Sequence, residues 1–150
     1  SSADIYWCPG DKSTVLTPSG RESHRTRSYN LSVWLNTSLE PRGYTSMAQF
    51  TRSPLDQVFT FIDVHEDGIV DPTFGVFQSN DSYGANMWID QPADRHSRGA
   101  NLAFLDGHVE HWKWKTRKLF DTWGQEVRDD ADRADLRRLQ AALPAPRVLR

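Results

Sequence analysis

The chain has 150 residues, with 18 Lys and Arg against 20 Asp and Glu, for a formal net charge of −2. That length suits one domain of ordinary size with a real core, and the near-balanced charge argues against a dedicated nucleic-acid binder. Apolar residues make up 37% of the chain and aromatics 11%, so bulky rings are expected to carry much of the burial; no apolar run approaches the roughly 20 residues that span a bilayer.

Residues 9–28 are rich in Pro, Gly, Ser, Thr and Arg, show no apolar period and read as loop. Tyr29, Leu31, Val33 and Leu35 then alternate with Asn30, Ser32, Trp34 and Asn36, the period of a half-buried strand. Residues 37–46 read as loop, with Pro41 and Gly43 as breakers, and 47–52 fit neither template. Val58-Phe-Thr-Phe-Ile-Asp-Val64 is a second strand, apolar on both faces and therefore central. Residues 66–72 form a polar turn, and 74–77 a short strand or an irregular segment. The polar stretch 78–98 carries one apolar plug, Met87-Trp88-Ile89.

Asp106-Gly107 between two patterned runs predicts a hairpin of 101–106 and 108–114 with a two-residue turn. That turn would pair Leu105 with His108, Phe104 with Val109 and Leu102 with His111. Leu102, Phe104 and Val109 would face the core, and Leu31, Val33, Val58 and Ile62 complete the expected sheet core. Beyond the hairpin, Asp129 or Asp130 caps a helix over 131–143, with Leu136, Leu139 and Leu143 on one face and Pro144 as its stop. The sum is an α+β fold over 1–150: a small antiparallel sheet, long loops and a C-terminal helix.

One set of residues resembles a known family. His96, a nine-residue spacer, Asp106-Gly107 and His108-Val109 are similar to the H-x9-DG signature of prepilin-like proteins, the pseudopilin relatives; Gly99, Asn101 and Phe104 fit the same stretch. Trp7-Cys8-Pro9 resembles the family's aromatic-x-Cys-Pro or Cys-Pro element. Ser28-Tyr29-Asn30 with Asn36 resembles its Ser-Tyr-x-x-Asn strand, and Pro54 through Asp63 its Pro-then-apolar strand ending in an acid. The likeness runs from residue 6 to about 115. It implies a pilin-like globular domain whose sheet packs on a long N-terminal helix. The precursor would be membrane-inserted, cleaved by a prepilin peptidase and assembled head to tail with copies of itself, other pseudopilins or secretion-system proteins. The implied place is the cell envelope, with the domain on the periplasmic or outer side. The chain opens Ser-Ser-Ala-Asp-Ile-Tyr, where the likeness places the middle of a full protein, and so reads as a C-terminal part.

Several residues invite chemistry. His96 and Asp106 are read as structural, His96 bonding a backbone group or carboxylate at the hairpin entry and Asp106 serving the turn. Asp63, Asp67 and Asp71 lie in a stretch like a calcium loop, but His65 and Phe74 stand where oxygen ligands belong, and only a looser calcium site is left. A metal-dependent hydrolase would draw on Asp63, His65, His96 and Asp106, yet no zinc spacing is present. Cys8, the sole cysteine, is read as lacking a nearby base; the family likeness offers it an upstream cysteine as disulfide partner. Trp112 and Trp114 share a strand face that is either packed or an interface for sugars or another subunit. The expectation is a fibre subunit with no catalytic residues and no cofactor, followed by a carbohydrate-binding module and then by a hydrolase.

Overall fold

The patterned runs around Tyr29, Val58 and Asn101 all become strands of one sheet. The structure, a computed structural model, describes residues 3–36 and 43–146, so positions 37–42 of the expected loop lie outside it. In chain order the elements are β1 (Thr14–Leu16), β2 (Glu22–His24), β3 (Tyr29–Ser32), β4 (Phe59–Asp63), β5 (Thr73–Phe74), β6 (Met87–Trp88), β7 (Gly99–Phe104), β8 (Val109–Lys113), β9 (Gln125–Glu126) and α1 (Asp130–Ala141). The main sheet has five strands in the order β5-β3-β4-β7-β8, antiparallel except for the parallel β3–β5 pair. The fold is α+β, and the sheet is mixed rather than purely antiparallel. β1–β2 and β6–β9 form separate two-stranded ribbons.

The β1–β2 ribbon falls where loop is expected. Its residues are almost all exposed, so it carries no apolar period to read. It turns through Thr17 and Gly20, closed by a 2.8 Å backbone bond with Gly20 at φ 77°. β3 ends at Ser32, earlier than its alternation suggests. Its inward residues are Asn30 and Ser32, while Leu31 and Val33 are only half-buried. Asn30 reaches the core side because its amide donates to Thr73 O at 2.8 Å, across to β5.

β4 is central, as its doubly apolar pattern requires, but it carries an irregularity between Phe59 and Phe61. The extra residue lets both Phe59 and Ile62 face the core, each 0% exposed, and leaves Phe61 outside at 42%.

The hairpin forms with a different register. Ala103 pairs with Val109, Leu102 with Glu110 and Asn101 with His111. The turn holds three residues, Leu105-Asp106-Gly107. Gly107 N–H donates to Phe104 O and Phe104 N–H to His108 O, each at 3.0 Å, with Gly107 at φ 94°. This is a type I turn followed by a left-handed glycine. Asp106 favours it by accepting the His108 amide at 3.1 Å. The added turn residue shifts the register by one and flips every β8 side chain. Val109, expected in the core, is therefore 65% exposed, and Trp112 and Trp114 turn inward.

α1 covers the inner face. Asp129 caps it by accepting the Asp132 amide at 2.7 Å, and the helix ends at Ala141 rather than 143. Leu136 and Leu139 join Phe59, Ile62, Leu102 and Trp112 in one core cluster. The opposite face is left open. There Tyr29, Phe61, Ala103 and Val109, with Tyr6 beyond the edge, line an apolar groove of about 390 Å³. No helix among the described residues is long and apolar enough to cross a membrane.

Candidate functional site

His96 lies in the tight turn that leads into β7. Ser97 and Arg98 both take left-handed backbone, at φ 53° and 64°, a conformation that costs non-glycine residues free energy. The turn is held in place from several sides. His96 N–H donates to Gly99 O at 3.3 Å, and Arg98 N–H to Asp94 O at 3.0 Å. His96 O lies 2.8 Å from His111 Nε2 on β8. The ring then reaches β4, where Nε2 lies 3.3 Å from Asp63 Oδ2. That carboxylate also accepts the Asn101 amide at 2.9 Å, so His96, Asp63 and Asn101 tie the hairpin entry to the central strand.

The same Nε2 lies 3.3 Å from Cys8 Sγ. The reading that Cys8 has no nearby base is corrected: the base comes from 88 positions away, brought there by the sheet. Cys8 N–H donates to Ser28 Oγ at 3.1 Å, and Ser28 in turn donates to Asp11 Oδ2 at 2.8 Å. Asp11 is almost fully buried, and burial opposes its ionisation. Bonds from Ser13 and Ser28, with the charge of Arg95, nevertheless hold its carboxyl below the ordinary value. Arg95 donates to Ser28 O at 2.9 Å and Val64 O at 2.8 Å. Cys8, Ser28, Asp63 and His96 thus converge from the four separate stretches that carried the family likeness. Arg95 and Asp11 were not legible there. Cys8 and His96 were each singled out in the sequence, but nothing there pointed to their meeting, which spans 88 positions.

The remaining candidates go elsewhere. Asp106 sits at the hairpin tip, at the far end of β7 from His96. His65 accepts the Asp67 amide at 3.3 Å and stacks on Phe120. The hydrolase set is therefore not assembled. Asp71 accepts from Thr73 N–H and Oγ at 2.7 Å each, and Asp67 is exposed. Asp63, Asp67 and Asp71 form no common site, and among the described residues no group of three or more His, Cys, Asp or Glu is placed to hold a metal ion. Trp112 and Trp114 are 6% and 2% exposed and pack edge to face at 6.3 Å, which corrects the interface reading of that pair.

At the tip, His108 lies flat on Phe104 with ring centroids 4.4 Å apart. Its Nδ1 meets Asp106 Oδ1 at 2.5 Å and its Nε2 meets Glu110 Oε1 at 3.3 Å. The Asp106 bond, aided by Glu110, raises His108 above its ordinary value; the same bond lowers Asp106, while Trp112 and His108 lower Glu110. In an NMR titration His108 is expected to lose its proton above the usual value of about 6.5, and Asp106→Asn to bring it back toward that value. The sign for stability follows. The histidine's contribution is complete below about 6.5 and is lost as pH rises through its raised folded value; the carboxylates' contribution is present above their ordinary range and lost as pH falls through their lowered values. A His108 midpoint that Asp106→Asn leaves unmoved would contradict the pairing.

Compared with family models, curated proteins and solved structures, the chain matches none.

Proposed function

We propose that this chain is the globular domain of a pilus-like or pseudopilus-like fibre subunit, structural rather than catalytic, working at the cell envelope. The observation that supports it most is the open sheet face. α1 and the core occupy one side of the five-stranded sheet. The other side keeps Phe61 and Val109 at 42% and 65% exposure, beside Tyr29 and Ala103, along the apolar groove. An α-helix is about 10 Å wide with its side chains, and burying one apolar stripe there would be worth roughly 25 cal/mol per Å². The occupant proposed is the N-terminal helix that the resemblance implies. The H-x9-DG residues serve this reading as scaffold: His96, Gly99 and Asn101 close the base of the hairpin, and Asp106, Gly107 and His108 close its tip.

The test uses the gene's complete product expressed in its own cells. Val109→Asp should leave the melting of the isolated domain within about 0.5 kcal/mol, and Phe61→Asp, which loses the edge-to-face contact with Tyr29 on a central strand, should cost about 1–2 kcal/mol and leave the domain folded. The same changes should remove the protein from filaments sheared off the cell surface or from cross-linked envelope assemblies. Assembly that tolerates both charges, or a protein absent from the envelope, would overturn the proposal. The carbohydrate-binding reading relied on an exposed Trp112–Trp114 platform, and both rings are buried.

A further inference from the structure

The meeting of Cys8, His96 and Asp63 has a chemistry that fibre assembly does not use. Thiol, imidazole and carboxylate come from a loop, a turn and a central strand, with both Sγ and Oδ2 at 3.3 Å from His96 Nε2. The cluster is open on one side. Gly10 is exposed, and a Cβ built on it would find only Cys8 Sγ at 3.5 Å and His96 Cε1 at 3.8 Å within 4 Å. The bare Cα of Gly10 therefore leaves an approach onto both reacting groups. On another side Asp63 lines the apolar groove, so the cluster lies at the edge of a cavity. The loop that carries Cys8 is fixed by Ser28, whose hydroxyl accepts the Cys8 amide at 3.1 Å and whose carbonyl accepts from the buried Arg95 at 2.9 Å. A partly exposed cysteine beside an imidazole is a setting in which thiols act as nucleophiles.

We propose that Cys8 is a thiol–disulfide exchange site, with His96 as its base and a low-molecular-weight disulfide as its substrate. With the neutral imidazole's own proton on Nδ1, the Sγ–H proton passes to the free Nε2, and the sulfur attacks one sulfur of R–S–S–R. The Cys8 S–SR bond forms as the old S–S bond breaks, and the departing RS⁻ takes the proton back as RSH. One disulfide is consumed and one is made, so Cys8 is oxidised, RSH is the reduced product, and no other electron carrier is needed. While Nε2 carries the proton, Asp63 Oδ2 is its partner. The modification is stoichiometric and independent of the fibre reading.

The experiment measures the second-order rate of the full chain with 5,5′-dithiobis(2-nitrobenzoate) and with glutathione disulfide, from pH 6 to 8. A peptide spanning residues 5–12 supplies the same cysteine without its base. The chain is expected to exceed the peptide by about tenfold or more near pH 6.5, with a single adduct on Cys8 by mass spectrometry. His96→Gln should remove that advantage while melting stays cooperative. Gly10→Ala should slow the reaction and keep the pH profile, because its methyl narrows the approach without touching the pair. A chain no faster than the peptide, or one whose rate His96→Gln leaves unchanged, overturns the proposal. Should His96→Gln not fold, Asp63→Asn and Gly10→Ala carry the comparison, and unchanged rates in both overturn it equally.

Discussion

Lys118→Ala is expected to destabilise this fold by about 3–5 kcal/mol, the cost of breaking a buried ion pair from one side. Lys118 is 0% exposed. Its Nζ lies 2.7 Å from Asp132 Oδ1 and 2.8 Å from Asp135 Oδ2, both on α1 and both buried. The ammonium also stands over the Trp88 and Trp114 rings, at 4.8 and 5.3 Å from their centroids. The two carboxylates have further partners: Trp88 Nε1 donates to Asp132 at 3.2 Å, and the Lys115 amide to Asp135 at 3.0 Å. The lysine thus holds α1 against the hairpin and the β6 segment at once. Alanine would leave Asp135 buried without a cation and Asp132 with only Arg128 Nε at 3.9 Å, and a cavity besides. Urea unfolding should show a lower midpoint with little change in slope. The triple change Lys118→Met, Asp132→Asn, Asp135→Asn should recover much of the loss, since it removes charge from both sides. A Lys118→Ala variant within 1 kcal/mol of the parent would show that the helix does not depend on this contact.

Such a lysine is invisible in a sequence. Lys118 sits in a polar stretch between Arg117 and Leu119, and nothing in a period of two or 3.6 marks it as core. The helix it holds was legible, because Asp129, Leu136, Leu139 and Pro144 give cap, stripe and stop within a few residues. β4 was legible for a similar local reason: an apolar run of strand length points to a place in the middle of a sheet. Elements that lack a buried face left no such trace. β1 and β2 are an example; β6 and β9 bury Trp88 and Gln125 but are two residues long, too short for any period, and pair across 37 and 39 positions.

The hairpin failed in a more instructive way. Asp106-Gly107 fits a two-residue turn and also the last two positions of a three-residue turn, and the two differ by one register step. Local sequence does not separate them. Tertiary packing does: only the longer turn buries Trp112 and Trp114 against the α1 side and lets Arg138 stand over Trp112 at 4.0 Å. The opposite choice would bury Val109 and expose two tryptophans. The Cys8–His96 contact was lost for a different reason, since a pairing across 88 positions depends on the whole sheet order rather than on any window of residues.

Gly99→Ala should be the costliest single methyl addition in the hairpin. Gly99 is buried where β7 leaves the His96 turn, opposite Lys113. A Cβ there would come within 2.3 Å of the Trp112 carbonyl oxygen and 2.6 Å of His111 Nε2. The first is backbone and cannot rotate away, so the strands would have to part at the base of the hairpin. Parting them pulls His111 from His96 O and loosens the turn that points His96 at Asp63. The expected loss is about 3 kcal/mol, at the upper end for overpacking. Gly107→Val supplies the contrast. Gly107 stands at φ 94° with no heavy atom within 4 Å of a built Cβ, so its cost is backbone strain alone, about 1–2 kcal/mol. Thermal or urea melts of the two variants should rank Gly99→Ala well below Gly107→Val. In Gly99→Ala the rate advantage of the Cys8 thiol should fall as well, because the imidazole is displaced; Gly107→Val, at the far end of the strand, should keep it. The reverse ranking, or a Gly99→Ala chain as stable as its parent, would mean that the hairpin base is not closed as tightly as the 2.3 Å approach requires.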